Sequence, residues 1–292
     1  MNERPLALFR RYLWENKNII FVYTNNADKL VESRSIYNSA ASLGLDETTE
    51  QQNTAKEIII SAALAAETQM IREMWGWTLR LPFKDWGVFC GVEADGSICC
   101  RMTRLKPEAA KDVLGAVAVQ RVADGGPVRQ SMLIPRDTTV RLIVEQYFDE
   151  SEQLPARLAL HENEALLALS MPDAHWNEIA SLAEADLLKR FHELLQDQNI
   201  HEEKNVEDEA EKTVAQRVRA QYEQLHSGTA ISHGDLKCTH EAVFFYDCRC
   251  NEEQMKKVIS TLSQAHQDEL WKDTDHLEIE CPRCGRKHII KK

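Results

Sequence analysis

The feature that most constrains this chain is a cysteine pattern near its C-terminal end: Cys248-Arg-Cys250, thirty intervening residues, then Cys281-Pro-Arg-Cys284. Each half is a short chelating elbow, and four thiolates suit one tetrahedral zinc ion with Zn–S near ~2.3 Å. Cys248, Cys250, Cys281 and Cys284 are therefore the candidate metal ligands, and Zn2+ is the expected cofactor. A closed four-thiolate set leaves no coordination position for water, which disfavours hydrolytic zinc chemistry. Gly285, Arg286 and Lys287 follow as in a zinc knuckle, where glycine lets backbone amides turn toward the sulfurs. Between the halves, Glu252 to Ala265 carries Met255, Val258, Ile259 and Leu262 on one helical face, which predicts a small helix packed on the metal. Metal binding would then contribute on the order of 10 kcal/mol to folding of this segment.

Two purposes are open to such a site. It can be a permanent staple, which four-cysteine sites commonly are. It can also be a switch, because zinc-bound thiolates stay nucleophilic toward oxidants and ordinary ribbons use two Cys-x-x-Cys elbows rather than a Cys-x-Cys half. Residues i and i+2 of an extended segment sit near the upper limit of disulfide Cα separation, so a bond within that half requires the backbone to rearrange. Cys238 and His240 precede the motif and read as a peripheral thiol and a solvated histidine in preference to spare ligands. Cys90, Cys99 and Cys100 fall on predicted strands, where a reduced cysteine behaves as a small hydrophobe; no role is assigned to them.

Ahead of the cysteines the chain reads as an α+β body over 1–172, a helical charged linker over 173–234 and a small C-terminal zinc-binding domain over 235–292. Leu6, Phe9, Leu13 and Trp14 are at helical spacing, and Ile19 to Tyr23 reads as a strand. Ile58, Ile59, Ala62, Ala66, Met70 and Ile71 recur every three to four residues, predicting a long buried helix over 48–74 with Thr48 or Thr49 as N-cap. Strands are expected at Trp75–Leu81, Trp86–Val92, Ser97–Met102, Ala116–Val122 and Met132–Ile134, giving one antiparallel sheet, and the pair Ala156–Leu160 and Ala165–Ser170 reads as a hairpin. The body is thus an α/β-sandwich-like core with an antiparallel sheet. Trp75 and Trp77 are expected to fill the core or an interface. Asp186 to Leu195 has one apolar stripe, whereas the stretch from Glu202 to Arg219 is dominated by charge and relies on exposed pairs worth about 0.3–0.5 kcal/mol each, so it should be marginally stable by itself.

At this point the residues resemble a family, the redox-regulated holdase chaperones known as heat shock protein 33. The two cysteine elbows carry the likeness, together with Glu145-Gln-Tyr-Phe-Asp-Glu-Ser-Glu-Gln-Leu-Pro-Ala-Arg-Leu158 and the opening Arg11-Tyr-Leu-Trp-Glu-Asn16. Residues 17–140 are only weakly similar, the Asn18-Ile-Ile-Phe-Val run replaces the family's Arg-Gly, and the charged linker is longer, which marks a divergent member. The resemblance implies a reduced, zinc-bound, inactive state. Oxidants would then join Cys248 to Cys250 and Cys281 to Cys284, expel the zinc, unfold the linker and expose apolar surface that binds unfolding client proteins without ATP. It also implies a homodimer in the oxidised state.

Composition bears on the alternatives. The formal net charge of -12 repels phosphate backbones at long range and argues against nucleic acid as a partner. No apolar run is long enough for a bilayer and no secretory leader pattern opens the chain, so no membrane is expected and the cytoplasm is the expected compartment. No P-loop, Gly-x-Gly-x-x-Gly, His-Glu-x-x-His or Gly-x-Ser-x-Gly motif occurs, and no enzyme is expected. The alternative function is a zinc-ribbon-type binding module with a purely structural zinc, contacting a partner through Arg249, Arg283 and Arg286. A thiol-disulfide oxidoreductase using Cys281-x-x-Cys284 lacks the βαβ setting such a pair needs.

Overall fold

In the computed structural model, residues 5–40, 47–69, 73–81, 86–105, 115–123, 125–196, 232–233, 236–272 and 274–291 are described. Strands β1 (Ala7–Trp14), β2 (Ile19–Thr24), β3 (Glu73–Leu81), β4 (Trp86–Val92), β5 (Ser97–Arg104), β6 (Ala116–Ala123), β7 (Arg129–Leu133), β8 (Ala156–His161), β9 (Glu164–Ser170), the two-residue β10 (Ser232–His233) and β11 (Leu236–Tyr246) form one large sheet. Its order is β7-β6-β3-β4-β5-β11-β1-β2-β9-β8, with β10 against β11. Neighbours are antiparallel except β11 and β5, which run parallel through Phe245↔Ser97 and Tyr246↔Ile98. The expected α+β class with an antiparallel-dominated sheet is what the chain adopts.

Helix α1 (Asp28–Ala40) lies against β11, and α2 (Thr49–Glu67) covers β4, β5 and β9 on one face of the sheet. Thr48 caps α2 reciprocally with Gln51, and every residue from Ile58 to Ala65 is buried, as the apolar spacing predicts. The expected continuation through Met70 and Ile71 lies outside the described residues. On the same core sit Trp75 and Trp77, both fully buried with ring centroids 6.1 Å apart. Helix α3 (Val140–Tyr147) runs into a single wide turn, Phe148–Glu152, and then into β8; α4 (Asn177–Ala180) and α5 (Glu184–Gln196) follow the β8–β9 hairpin. The charged stretch 202–219 lies outside the described residues.

The opening segment is a strand, not the expected helix. Ala7, Phe9 and Arg11 point inward on alternate positions, and β1 pairs with β2 on one edge and β11 on the other. Arg11 hid the two-residue period: a charged side chain stands at an inward position because its Nη1 donates to Glu67 O (3.2 Å) and Gln69 O (2.9 Å) at the C-terminal end of α2. A second difference concerns residues 236–246, grouped in the sequence reading with the cysteine segment; they form β11, in the middle of the large sheet. The turn between β4 and β5 shows how tightly β11 is seated. Gly96 has φ +87°, and a Cβ there would lie 2.2 Å from Val243 O.

Beyond β11, α6 (Glu252–Ser260), α7 (Gln264–Leu270) and the hairpin β12 (His276–Glu280)–β13 (Lys287–Lys291) make a small appended unit. The single helix expected over 252–265 is two, broken where Ser263 caps α7 through its hydroxyl to His266 N–H (3.4 Å). Val258, expected on the packing face, is 62 % exposed, while Ile259 is 7 % exposed.

Candidate metal centre

Each half of the cysteine pattern is held by its own elbow. Asp247 N–H donates to Ile98 O (2.8 Å), which continues the β11–β5 pairing by one bond and delivers Cys248 at the sheet's surface. Cys250 directly precedes Asn251, whose Oδ1 accepts from Gln254 N–H (2.8 Å) to start α6. Cys281 and Cys284 bracket the turn between β12 and β13, closed by Cys281 N–H to Arg286 O (2.8 Å) and Gly285 N–H to Cys281 O (2.9 Å).

These elbows bring all four sulfurs within 4.8 Å of one another, and all four side chains are buried. Cys248 Sγ is 3.9 Å from Cys281 Sγ, and Cys250 Sγ is 3.5 Å from Cys284 Sγ. A tetrahedron with Zn–S of ~2.3 Å has edges of about 3.8 Å, so the donor set fits a thiolate-preferring tetrahedral cation in type and spacing. Hydrogen bonds from Cys248, Cys250 and Cys284 hold Cys281 far below the ordinary thiol range, whereas Cys250 is pushed up, by Cys248 first and then by Cys281 and Cys284. A divalent cation at the centre of the four sulfurs would let all of them be thiolates.

The unit bearing the cluster is fastened to the large sheet by contacts the sequence did not announce. Tyr37 on α1 donates its hydroxyl to Cys284 Sγ (3.5 Å), and the Arg286 guanidinium lies 4.5 Å from the centre of the Tyr37 ring. Arg101 on β5 donates to Cys281 O (3.0 Å) and pairs with Glu280 (2.5 Å). Arg283 pairs with Glu93 and passes over Gly91, where a Cβ would meet its Nη2 at 2.8 Å. Arg249 pairs with Asp95 (2.5 Å). Burial pushes the Asp95 carboxyl up, but hydrogen bonds from Arg249 and Ser97 outweigh it and hold the group below its ordinary value. No pattern signals such partners, because Tyr37 and Cys284 are 247 residues apart in sequence.

The other cysteines stand apart from the four. Cys238 is on β11, with Sγ against His240 O (3.8 Å), and burial pushes its thiol up to about 11. His240 pairs with the buried Glu67 at the end of α2 instead of joining the cluster. Cys90 and Cys100 face each other across β4 and β5, and Cys99 is buried on β5.

Residues 107–291 match the sequence profile of the family described as Hsp33 protein, well over half of the chain. The chain belongs to the Hsp33 family. That span contains all four clustered cysteines and the Glu145–Leu158 segment that carried the resemblance. No curated protein matches the chain by sequence. Among solved structures, the 33 kDa chaperonin (heat shock protein 33 homolog) of Thermotoga maritima superimposes with a TM-score of 0.58 at 13% identity, covering 99% of this chain and 95% of that one. The Hsp33 fold therefore extends over the described residues ahead of 107 as well. Hsp33 is a chaperone family and not an enzyme family, and the cluster is suited to a metal. Among the described residues no helix is long and apolar enough to cross a membrane.

Proposed function

We propose that this protein is a redox-regulated, ATP-independent holdase, inactive while Cys248, Cys250, Cys281 and Cys284 hold Zn2+ and activated when oxidation removes those ligands. The observation that carries this reading is the junction itself: the four-sulfur cluster joins the end of a core strand to a knuckle docked on the same sheet. Bound zinc supplies the cross-link between the two halves and nothing else. The chain's own residues do the remainder: Tyr37, Arg101 and Glu93 register the knuckle on β4, β5 and α1.

Joining the thiolates of Cys248 and Cys250, and those of Cys281 and Cys284, removes two electrons per pair; hypochlorous acid accepts them, its O–Cl bond breaking to give chloride and hydroxide as each S–S bond forms, and the cation is left without ligands. The close sulfur contacts run between the halves, 3.9 Å and 3.5 Å, so disulfides within each half dissolve the connection between them. The knuckle then loses its anchor, and the face of β4 around Phe89 and Gly91 loses the Arg283 cover. Unfolding clients are the partners, the charged stretch 202–219 of the linker is the segment released, the oxidised form is a homodimer, and the reducing cytoplasm keeps the switch closed. The binding-module alternative draws less support, because Arg249, Arg283 and Arg286 are turned toward Asp95, Glu93 and Tyr37 of the core.

The test treats reduced, zinc-loaded protein with hypochlorite and follows zinc release together with aggregation of a heat-denatured client. Zinc release with a parallel gain in client protection is expected. Zinc release with no gain would leave a structural zinc only.

A further inference from the structure

Three cysteines outside the metal centre lie in the β4–β5 hairpin, and the ladder sorts them. Cys90 stands directly opposite Cys100, and Gly91 stands opposite Cys99. Neighbours along a strand face opposite sides of a sheet, whereas residues paired across two strands share a side, so Cys90 and Cys100 point one way and Cys99 the other. The shared side is the one under α2, where Cys90 Sγ lies 4.0 Å from Ile58 O. Cys99 is on the knuckle side, its Sγ 3.3 Å from the point that a Cβ on Gly91 would occupy.

The hydrogen bonds of β5 fix the kind of pair this is. Ser97 O accepts from Glu93 N–H on the β4 side (2.8 Å), and Ile98 O accepts from Asp247 N–H on the β11 side (2.8 Å). The Tyr246 hydroxyl on β11 accepts from Cys100 N–H (3.0 Å) and donates to Cys100 O (2.7 Å). Cys100 thus turns both backbone groups away from β4, and Cys90–Cys100 is a non-hydrogen-bonded position of the ladder. Opposite residues come closest there, with Cα atoms ~4.5 Å apart, inside the ~4.4–6.8 Å range of disulfides. We propose that Cys90 and Cys100 are a second redox-active pair, which hypochlorous acid closes to a disulfide bridging β4 and β5.

Hypochlorous acid passes its chlorine to the sulfur of one thiol, whose proton leaves with the hydroxide as water. The sulfur of the other thiol attacks the sulfenyl chloride, the S–Cl bond breaks with its electron pair leaving on chloride, and the second thiol proton is released. Both side chains are buried, 0 % and 2 % exposed, and burial pushes the Cys90 thiol well above its ordinary value, so it meets the oxidant as a neutral thiol and only when α2 lifts. The bond stands apart from the zinc-switch reading, but its use rests on that reading. Once the C-terminal unit is released, a tie between β4 and β5 keeps the strands that docked it from opening.

The test oxidises full-length, zinc-loaded protein with hypochlorite while a dye reports zinc, quenches the oxidant, and alkylates the remaining thiols in denaturant. Cleavage after Glu93 parts the two strands, and peptide mass spectrometry without reduction maps the bonds. A Cys90 peptide joined to the Cys100 peptide is expected, with fragment ions placing the alkyl label on Cys99. The bond should vanish in Cys90→Ala and persist in Cys99→Ala. Amide exchange in β4 and β5 should be ~10–100-fold slower in the oxidised protein than in reduced, chelator-treated protein, which lacks zinc but keeps both thiols. Equal exchange in the two overturns the bracing role. Zinc release with Cys90 and Cys100 both alkylated overturns the proposal and leaves the switch reading intact, and Cys90 joined to Cys99 overturns the assignment of faces on which it stands. A Cys90–Cys100 bond with zinc release but no gain in client protection sinks the switch reading alone. Should Cys90→Ala fail to fold, the wild-type and Cys99→Ala maps decide.

Discussion

Tyr37 shows what a single atom contributes at the metal centre. Its hydroxyl donates to Cys284 Sγ while its ring packs edge-on to Tyr246 at 5.2 Å and under Arg286, so the ring is held by packing and the hydroxyl by the sulfur. Outer-sphere donors of this kind typically carry about 10–100-fold in metal affinity. Tyr37→Phe keeps the ring and removes the donor; zinc affinity, read by competition with a chromogenic chelator, is expected to fall by about that range with the thermal midpoint of the sheet unchanged. A different residue carries the core's charge. Arg121 is 8 % exposed and bridges Glu73 (3.1 Å) and Glu152 (2.6 Å) over the Trp75 ring. Arg121→Ala leaves the buried Glu73 carboxylate with Arg129 as its remaining partner and is expected to cost about 1–3 kcal/mol. Arg136, 73 % exposed on its pair with Glu150, is the contrast: Arg136→Ala should cost under ~1 kcal/mol. Urea unfolding midpoints separate the two, and equal losses would show that Arg121 carries no network of its own.

At the scale of elements, the hairpin between β4 and β5 is the pivot, because its turn lies under β11 and its strands carry the knuckle's docking face. Gly96→Ala places a methyl group into Val243 O at a backbone angle that L-residues rarely adopt. A loss of about 1–3 kcal/mol is expected, with the β11–β5 pairing weakened first; thermal unfolding gives the loss, and amide exchange at Phe245 and Asp247 locates it. Elements with a clean period were readable in advance: α2, with its uninterrupted buried run, and the strands between Trp75 and Ser170. Elements whose inward positions carry polar side chains were not. β1 hid behind Arg11, and α1 hid behind Ser33 and Arg34, both buried, the former by accepting Tyr246 N–H at 3.0 Å. The cluster itself was legible because thiolate spacing is local. Its docking was not, since Glu93, Arg101 and Tyr37 acquire meaning only when the sheet brings β5, β11 and α1 side by side.

For the whole molecule the decisive fact is that β11 belongs to the large sheet while the next residues belong to the metal centre. β11 is paired along its length with β1, from Leu236↔Trp14 to Phe244↔Ala7, and it buries Ala242, Phe244 and Tyr246. That burial does not depend on zinc. The unit beyond it holds few apolar side chains, Ile259 and Ile290 chief among the buried ones, and leaves Val258, Leu262, Leu270 and Ile289 exposed. Its stability must come from the thiolate cluster, as in other small metal-bound units, where metal supplies on the order of 10 kcal/mol. Removing zinc with a chelator from reduced protein should therefore divide the chain at Asp247. Amide protection is expected to collapse from Cys248 through β13, while β1, β2 and β11 keep theirs. Acid should act in the same direction, since protonating thiolates competes with the metal, so zinc loss at fixed chelator should rise as pH falls. Loss of protection in β11 together with the C-terminal unit would show that the metal holds the sheet as well, and a switch confined to the far side of Asp247 could not then operate.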